Sequence, residues 1–213
     1  MKTDELIALL AADTMPVPRH VTVRRLAGGV AAGTVISLLA MVAWLGFNPV
    51  LADYLLLPMF WVKFGMPMVM AMAGLVLVAR LGRPGDSSRG AWMAWAAPIG
   101  LMWLLGAVAL SQAPAADAAF LMLSWSWRIC AATIVALALP VFVGAIWALR
   151  GVAPVRLRLA GAGAGALAGA VGAAVYALHC MELAAPFIAI GYVLGMVLPL
   201  AVGALAGPRL LRW

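Results

Sequence analysis

Charge is scarce in this 213-residue sequence: only 10 % of its residues are Asp, Glu, Lys or Arg. No acid lies deep in any of the long apolar runs, where a transporter would keep a polar site at mid-depth. Cysteine and histidine are scarcer still, with two of each. There is no Cys-X-X-Cys pair of a thiol oxidoreductase, no His-Glu-X-X-His helix, no Gly-X-Ser-X-Gly elbow and no phosphate-binding glycine loop. A catalytic constellation has nothing to be built from, and the expectation is that the chain is not an enzyme.

What is abundant is hydrocarbon. Apolar residues make up 67 % of the chain and the mean hydropathy is +1.11, with several apolar runs longer than the roughly 18 residues that mark a bilayer-spanning helix. The fold class expected is all-α: a polytopic membrane protein with six transmembrane helices in three hairpins. The spans are expected at about Leu26–Phe47, Met59–Ala79, Ala91–Leu110, Met122–Leu149, Leu159–Leu178 and Pro186–Leu205. Gly29 and Gly33 in the first span, and Gly161, Gly165 and Gly169 in the fifth, fall four apart, so those faces are nearly bare backbone suited to close packing. Pro67 should bend the second span.

The net charge of +7 could suggest nucleic acid, but its placement argues otherwise. Lys2, Arg19, Arg24 and Arg25 precede the first span; Arg80, Arg83 and Arg89, then Arg150, Arg156 and Arg158, fill alternate connections, and Arg209 and Arg212 close the chain. All lie on one side. That asymmetry is the positive-inside signal, so both termini are expected in the cytoplasm of a bacterial inner membrane, with the lipid bilayer as partner and no direct contact with nucleic acid. The first apolar run begins late and lacks a small-residue cleavage site, so no signal peptide is expected.

Residues 1–25 form one expected domain, a cytoplasmic amphipathic helix and tether, and residues 26–213 a six-helix transmembrane sensor domain. Thr3 can cap a helix whose first turn carries Asp4 and Glu5, with Leu6, Ile7 and Leu10 on one face and Leu9 widening it. Pro16 and Pro18 stop that helix.

On the outer side the polar chemistry concentrates at His179-Cys180-Met181-Glu182. Cys130, at the outer start of the fourth span, and Cys180, at the outer end of the fifth, should meet at similar depth, close enough for a disulfide or simply buried as small apolar residues. His179 and Glu182 with Cys130 and Cys180 offer donors for transient zinc or heavy metal, although the spacing matches no established motif and the same two residues could merely cap helix ends. Lys63 and Arg128 lie near the outer surface, either paired with the outer acids Asp53, Asp117 and Glu182 or snorkelling. No resident cofactor is expected, and the four methionines Met66 to Met72 read as pliable packing rather than a copper path.

Met1-Lys2-Thr3-Asp4-Glu5-Leu6-Ile7, Phe60-Trp61-Val62-Lys63, His179-Cys180-Met181-Glu182 and Gly207-Pro208-Arg209-Leu210-Leu211-Arg212-Trp213 occur in that order. Together they resemble the six-helix membrane anti-sigma factors of proteobacteria, of the negative-regulator-of-sigma-F type. The resemblance runs the whole chain. It implies a protein that holds an extracytoplasmic-function (ECF) sigma factor at the inner membrane and releases it under oxidant or heavy-metal stress through two outer cysteines, here Cys130 and Cys180. Met181 stands where that family commonly has proline. On this reading Asp4, Glu5, Leu6, Ile7, Leu9 and Leu10 bind sigma, the acidic amphipathic helix lying in a groove of a basic partner. A small-solute transporter or channel is the alternative.

Overall fold

The computed structural model describes residues 3, 5, 21–83, 87–114, 126–152 and 154–212. Asp4, Leu6, Ile7, Leu9, Leu10 and the tether that follows lie outside the described residues, as does Asp117; Thr3 and Glu5 are helical and exposed.

A chain this apolar has no water with which to satisfy its peptide groups in a bilayer, so it must satisfy them internally, and helices do so within each segment. The described residues contain no strand. Helix α1 is Val21–Trp44, α2 the short Leu51–Tyr54, α3 Pro58–Leu81, α4 Arg89–Gln112 and α5 Ser126–Arg150. Helix α6 is Leu157–Ala177, and α7 is Ala185–Leu210. All but α2 are long and apolar enough to cross a membrane, which makes the six spans expected. Pro58 opens α3, where its missing N–H costs nothing. Pro67, Pro98, Pro140, Pro199 and Pro208 lie inside helices that continue through them, as prolines do in membrane helices whose neighbours re-satisfy the freed carbonyls.

Helix α6 is the centre. In its most apolar stretch 94 % of residues are buried, against 17 % for α4. It owes this to its glycines, and the neighbour against which they close is α7. A Cβ at Gly169 would stand 2.6 Å from the Met196 carbonyl oxygen, while Gly161 faces Gly203 and Gly207, and Gly165 faces Pro199 and Leu200. On its other sides α6 meets α3, where Gly74 lies against Leu167, and α5, where Ala138 and Ile134 cover Gly172. Helix α4 is the outermost, tied on by two indoles: Trp95 Nε1 donates to the Ala166 carbonyl at 3.2 Å and Trp103 Nε1 to the Ala189 carbonyl at 3.0 Å.

The pairing of the first two spans differs from a packed hairpin. Helix α1 leans on α5 and touches α3 only marginally. Gly29 and Gly144 let the α1 and α5 backbones meet, Gly33 sits over Pro140 and Val141, and the Ser37 hydroxyl donates to the Leu137 carbonyl. Close backbone approach outweighs adjacency in sequence.

Candidate functional site: a buried thiol pair

Cys130 and Cys180 meet at one end of the bundle. Helix α6 ends at Ala177, and a tight turn, with the His179 and Cys180 amides both donating to the Tyr176 carbonyl at 3.0 Å, carries the chain inward to Cys180. Cys130 sits in the first turns of α5. Both sulfurs are free thiols, buried and hydrogen-bonded to each other. The Tyr176 hydroxyl hydrogen-bonds Cys130.

Lys63, from α3, closes the site. It is 0 % exposed, and its Nζ donates to the carbonyls of Cys180 at 2.5 Å and Glu182 at 2.9 Å, with a further hydrogen bond to the Cys180 side chain. Main-chain carbonyls hold the ammonium, and of the outer acids expected as partners Glu182 acts on it through space. The ammonium lies 5.5 Å from the centre of the Tyr192 ring.

Tyr192 comes from a π-helical stretch, Ile188–Tyr192, that follows the first turn of α7. Such wider turns recur at functional sites. Its ring lies 6.0 Å from that of Tyr176, and its hydroxyl makes no hydrogen bond of conventional geometry. The electrostatic neighbours of that hydroxyl are the two thiols and Tyr176.

The loop carrying Cys180 is held by its backbone. The Asn48 amide donates to the Leu178 carbonyl at 3.1 Å, Lys63 to those of residues 180 and 182, and the Tyr54 hydroxyl to that of Met181 at 2.9 Å. His179 Nδ1 donates to the Gly46 carbonyl at 3.0 Å; Gly46 has φ +74°, a conformation that favours glycine. The Glu182 carboxylate accepts from the Ala184 amide at 3.0 Å, at the mouth of α7. Arg128 is exposed, its guanidinium 5.1 Å from the Trp127 ring centre.

Of the expected cluster, then, Cys130, Cys180 and Lys63 come together, and His179 and Glu182 flank them in loop-fixing roles. No group of three or more His, Cys, Asp or Glu that could hold a metal occurs among the described residues, so a four-coordinate zinc site is short of donors. Two sulfurs in mutual contact suit two-electron thiol chemistry instead. The Cys130 thiol, donating to Cys180, and the Lys63 ammonium behind it hold the Cys180 thiol below the usual thiol range against the opposing effect of burial.

Sequence reasoning passed over the tyrosines. The chain has only three, and Tyr54, Tyr176 and Tyr192 all make contacts at this end. That scarcity and clustering was the available signal.

The opposite end is basic. The Arg25 guanidinium lies 4.9 Å from the Trp147 ring centre, Arg80 donates to the Ser87 carbonyl at 3.0 Å, and Arg150 to the Leu210 carbonyl at 2.6 Å. Between the two ends, the buried residues of α6 are Ala, Gly, Leu, Val and a terminal Tyr. Among the described residues this core offers no polar lining for a solute path.

The family model described as the negative regulator of sigma F matches residues 10–213. The chain is 42 % identical over 213 residues to the probable anti-sigma-F factor NrsF of Azospira oryzae, with 100 % of both chains covered. It is 41 % identical over 218 residues to the anti-sigma-F factor NrsF of Caulobacter vibrioides, again with 100 % of both covered. No solved structure matches.

Proposed function

Because the chain belongs to the family of negative regulators of sigma F and is accordingly an anti-sigma factor, we propose that it holds an ECF sigma factor at the bacterial inner membrane. Residues 1–25 are the cytoplasmic arm that binds sigma, and Cys130 and Cys180 face the periplasm and trigger release on oxidant or heavy-metal stress. Two considerations support the orientation. The arginines of the connections gather at the end opposite the thiols, as the positive-inside rule requires, and thiol–disulfide chemistry belongs to the oxidising side of that membrane.

The observation that carries the reading is the meeting of the only two cysteines of the chain, buried and hydrogen-bonded, in a loop tied by its carbonyls to α3 and to the α1–α3 connection. Bond formation between the sulfurs alters the start of α5 and the end of α6 together. Helix α6 is clasped to α7 along Gly161, Gly165 and Gly169, so a displacement of α6 is passed to α7 and on to the arginine end rather than absorbed by soft side chains. Beyond the thiols, the packed Ala and Gly core of α6 weighs against a transporter or channel.

Replacing both cysteines by serine and measuring sigma-dependent transcription with and without oxidant or metal tests the sensing role; an unchanged induction refutes it. Deleting residues 1–15 should free sigma, and persistent co-purification of sigma with that truncation refutes the arm. An impermeant thiol reagent applied to intact spheroplasts should reach Cys180 from the periplasmic side.

A further inference from the structure

A buried ammonium is costly unless a counter-charge faces it. Lys63 is fully buried, and among the described residues the Cys180 side chain answers it more strongly than any carboxylate: that of Glu182, the acid of the loop it grips, acts on it through space but spends its hydrogen bond on the Ala184 amide. An ammonium has three N–H donors. Two are spent on the carbonyls of Cys180 and Glu182, and the side chain also hydrogen-bonds Cys180. The other groups around the site are the Cys130 thiol from α5, the Tyr176 hydroxyl from α6 and the Tyr192 hydroxyl from α7; His179, on the loop, gives its Nδ1 proton to Gly46. None is an acid.

We infer that Lys63 is a positioning residue whose counter-ion is the Cys180 thiolate, so that Cys180 is the sulfur that reacts first and Cys130 the one that resolves. The inference rests on the sensing role proposed above and adds to it an order of attack and the charge that changes. The site is asymmetric in the required sense: both cysteines meet phenol hydroxyls and each other, but the Lys63 ammonium hydrogen-bonds the Cys180 side chain and acts on Cys130 only through space. The depressed thiol range of Cys180 agrees with this.

With hydrogen peroxide as oxidant the steps balance. The Cys180 thiolate attacks the nearer peroxide oxygen; an S–O bond forms, the O–O bond breaks with its electron pair, and hydroxide leaves as Cys180 becomes a sulfenic acid. The Cys130 sulfur then attacks the Cys180 sulfur, an S–S bond forms, and the sulfenic oxygen departs as water with the Cys130 proton. Two electrons pass from the sulfurs to the peroxide. The site has exchanged a thiolate for a neutral disulfide, and Lys63 is left buried without its counter-charge. Its two carbonyl bonds are the grip of α3 on the Cys180 loop, so the same event that joins the sulfurs loosens that grip.

The test is the rate at which iodoacetamide alkylates each cysteine of the full-length protein in mild detergent, read by peptide mass spectrometry between about pH 6 and pH 8. An ordinary thiol, titrating near 8.5, gains roughly tenfold in thiolate per pH unit over that range. The native protein should label at Cys180 first, with a rate nearly flat across it. Lys63→Met should lose about tenfold or more at the acid end and acquire the ordinary slope, and Lys63→Arg should restore the flat profile. Cys130 labelling first, a native Cys180 rate climbing about tenfold per unit, or no labelling at any pH each overturns the inference, and the native profile decides the matter even if Lys63→Met fails to fold. These rates are independent of sigma. If the double-serine protein still responds to stress while Cys180 labels first with a flat profile, the sensing role falls and the ion pair stands; if the response needs the cysteines but the profile is ordinary, the reverse holds.

Discussion

Adding one methyl group to α6 at Gly169 should unclasp it from α7. The new Cβ would stand 2.6 Å from the Met196 carbonyl oxygen and 2.9 Å from its Cα, both backbone atoms that cannot rotate away. To widen the first of these from 2.6 Å to an ordinary 3.4 Å contact, the helices must part by about 0.8 Å, along a line that also carries Gly161 and Gly165. Overpacking of this kind costs about 1–3 kcal/mol. The internal control is Gly100 on α4, where an added Cβ meets nothing within 4 Å; alanine there should gain up to about 0.5–1 kcal/mol from reduced backbone freedom. The two chemically identical substitutions should therefore separate by about 1.5–4 kcal/mol. Unfolding in mixed micelles of rising sodium dodecyl sulfate content, followed by circular dichroism, measures the gap. Gly169→Ala unfolding at or above the micelle composition of Gly100→Ala would refute the close α6–α7 contact and, with it, the proposed route from the thiols to the arginine end.

Two further substitutions probe the attachment of the outer helix and the tyrosine of the thiol site. Trp95→Phe removes the bond from a buried indole to the Ala166 carbonyl and leaves space beside α6, so a loss of about 1–3 kcal/mol is expected by the same unfolding measurement; no loss would mean that α4 is held by other contacts. Tyr192→Phe deletes a buried hydroxyl with no conventional partner. Stability should be unchanged or raised, because an unsatisfied buried polar group is a cost, and a loss above about 1 kcal/mol would reveal that the contact with the Cys180 thiol is a strong bond.

The six spans were legible because hydropathy alone forces them: in hydrocarbon an apolar run of sufficient length has one way to satisfy its backbone, and α1 and α3 to α7 fall within a few residues of where composition puts them. The meeting of Cys130 and Cys180 was legible too, since the fourth span starts and the fifth ends on the same face and they are consecutive. Glycine spacing announced that α6 has a close neighbour. It did not say which: the Gly161, Gly165 and Gly169 face closes on α7, while α5 meets α6 through Gly172.

Lys63 marks where linear reasoning stopped. Its charge and its place near a helix end were visible, and both readings open to it, an acid partner or solvent, treat the ammonium as seeking something polar outward. The carbonyls that hold it belong to residues 180 and 182, more than a hundred positions away, in a loop whose course depends on Asn48, Tyr54 and Gly46. Membrane crossing is a local property of each segment, and the order of residues was enough to establish it. The choice of α6 as the central helix, α1 lying against α5, and a lysine turned inward onto a thiol are properties of pairs of surfaces distant in the chain, and these exist only once the helices have packed.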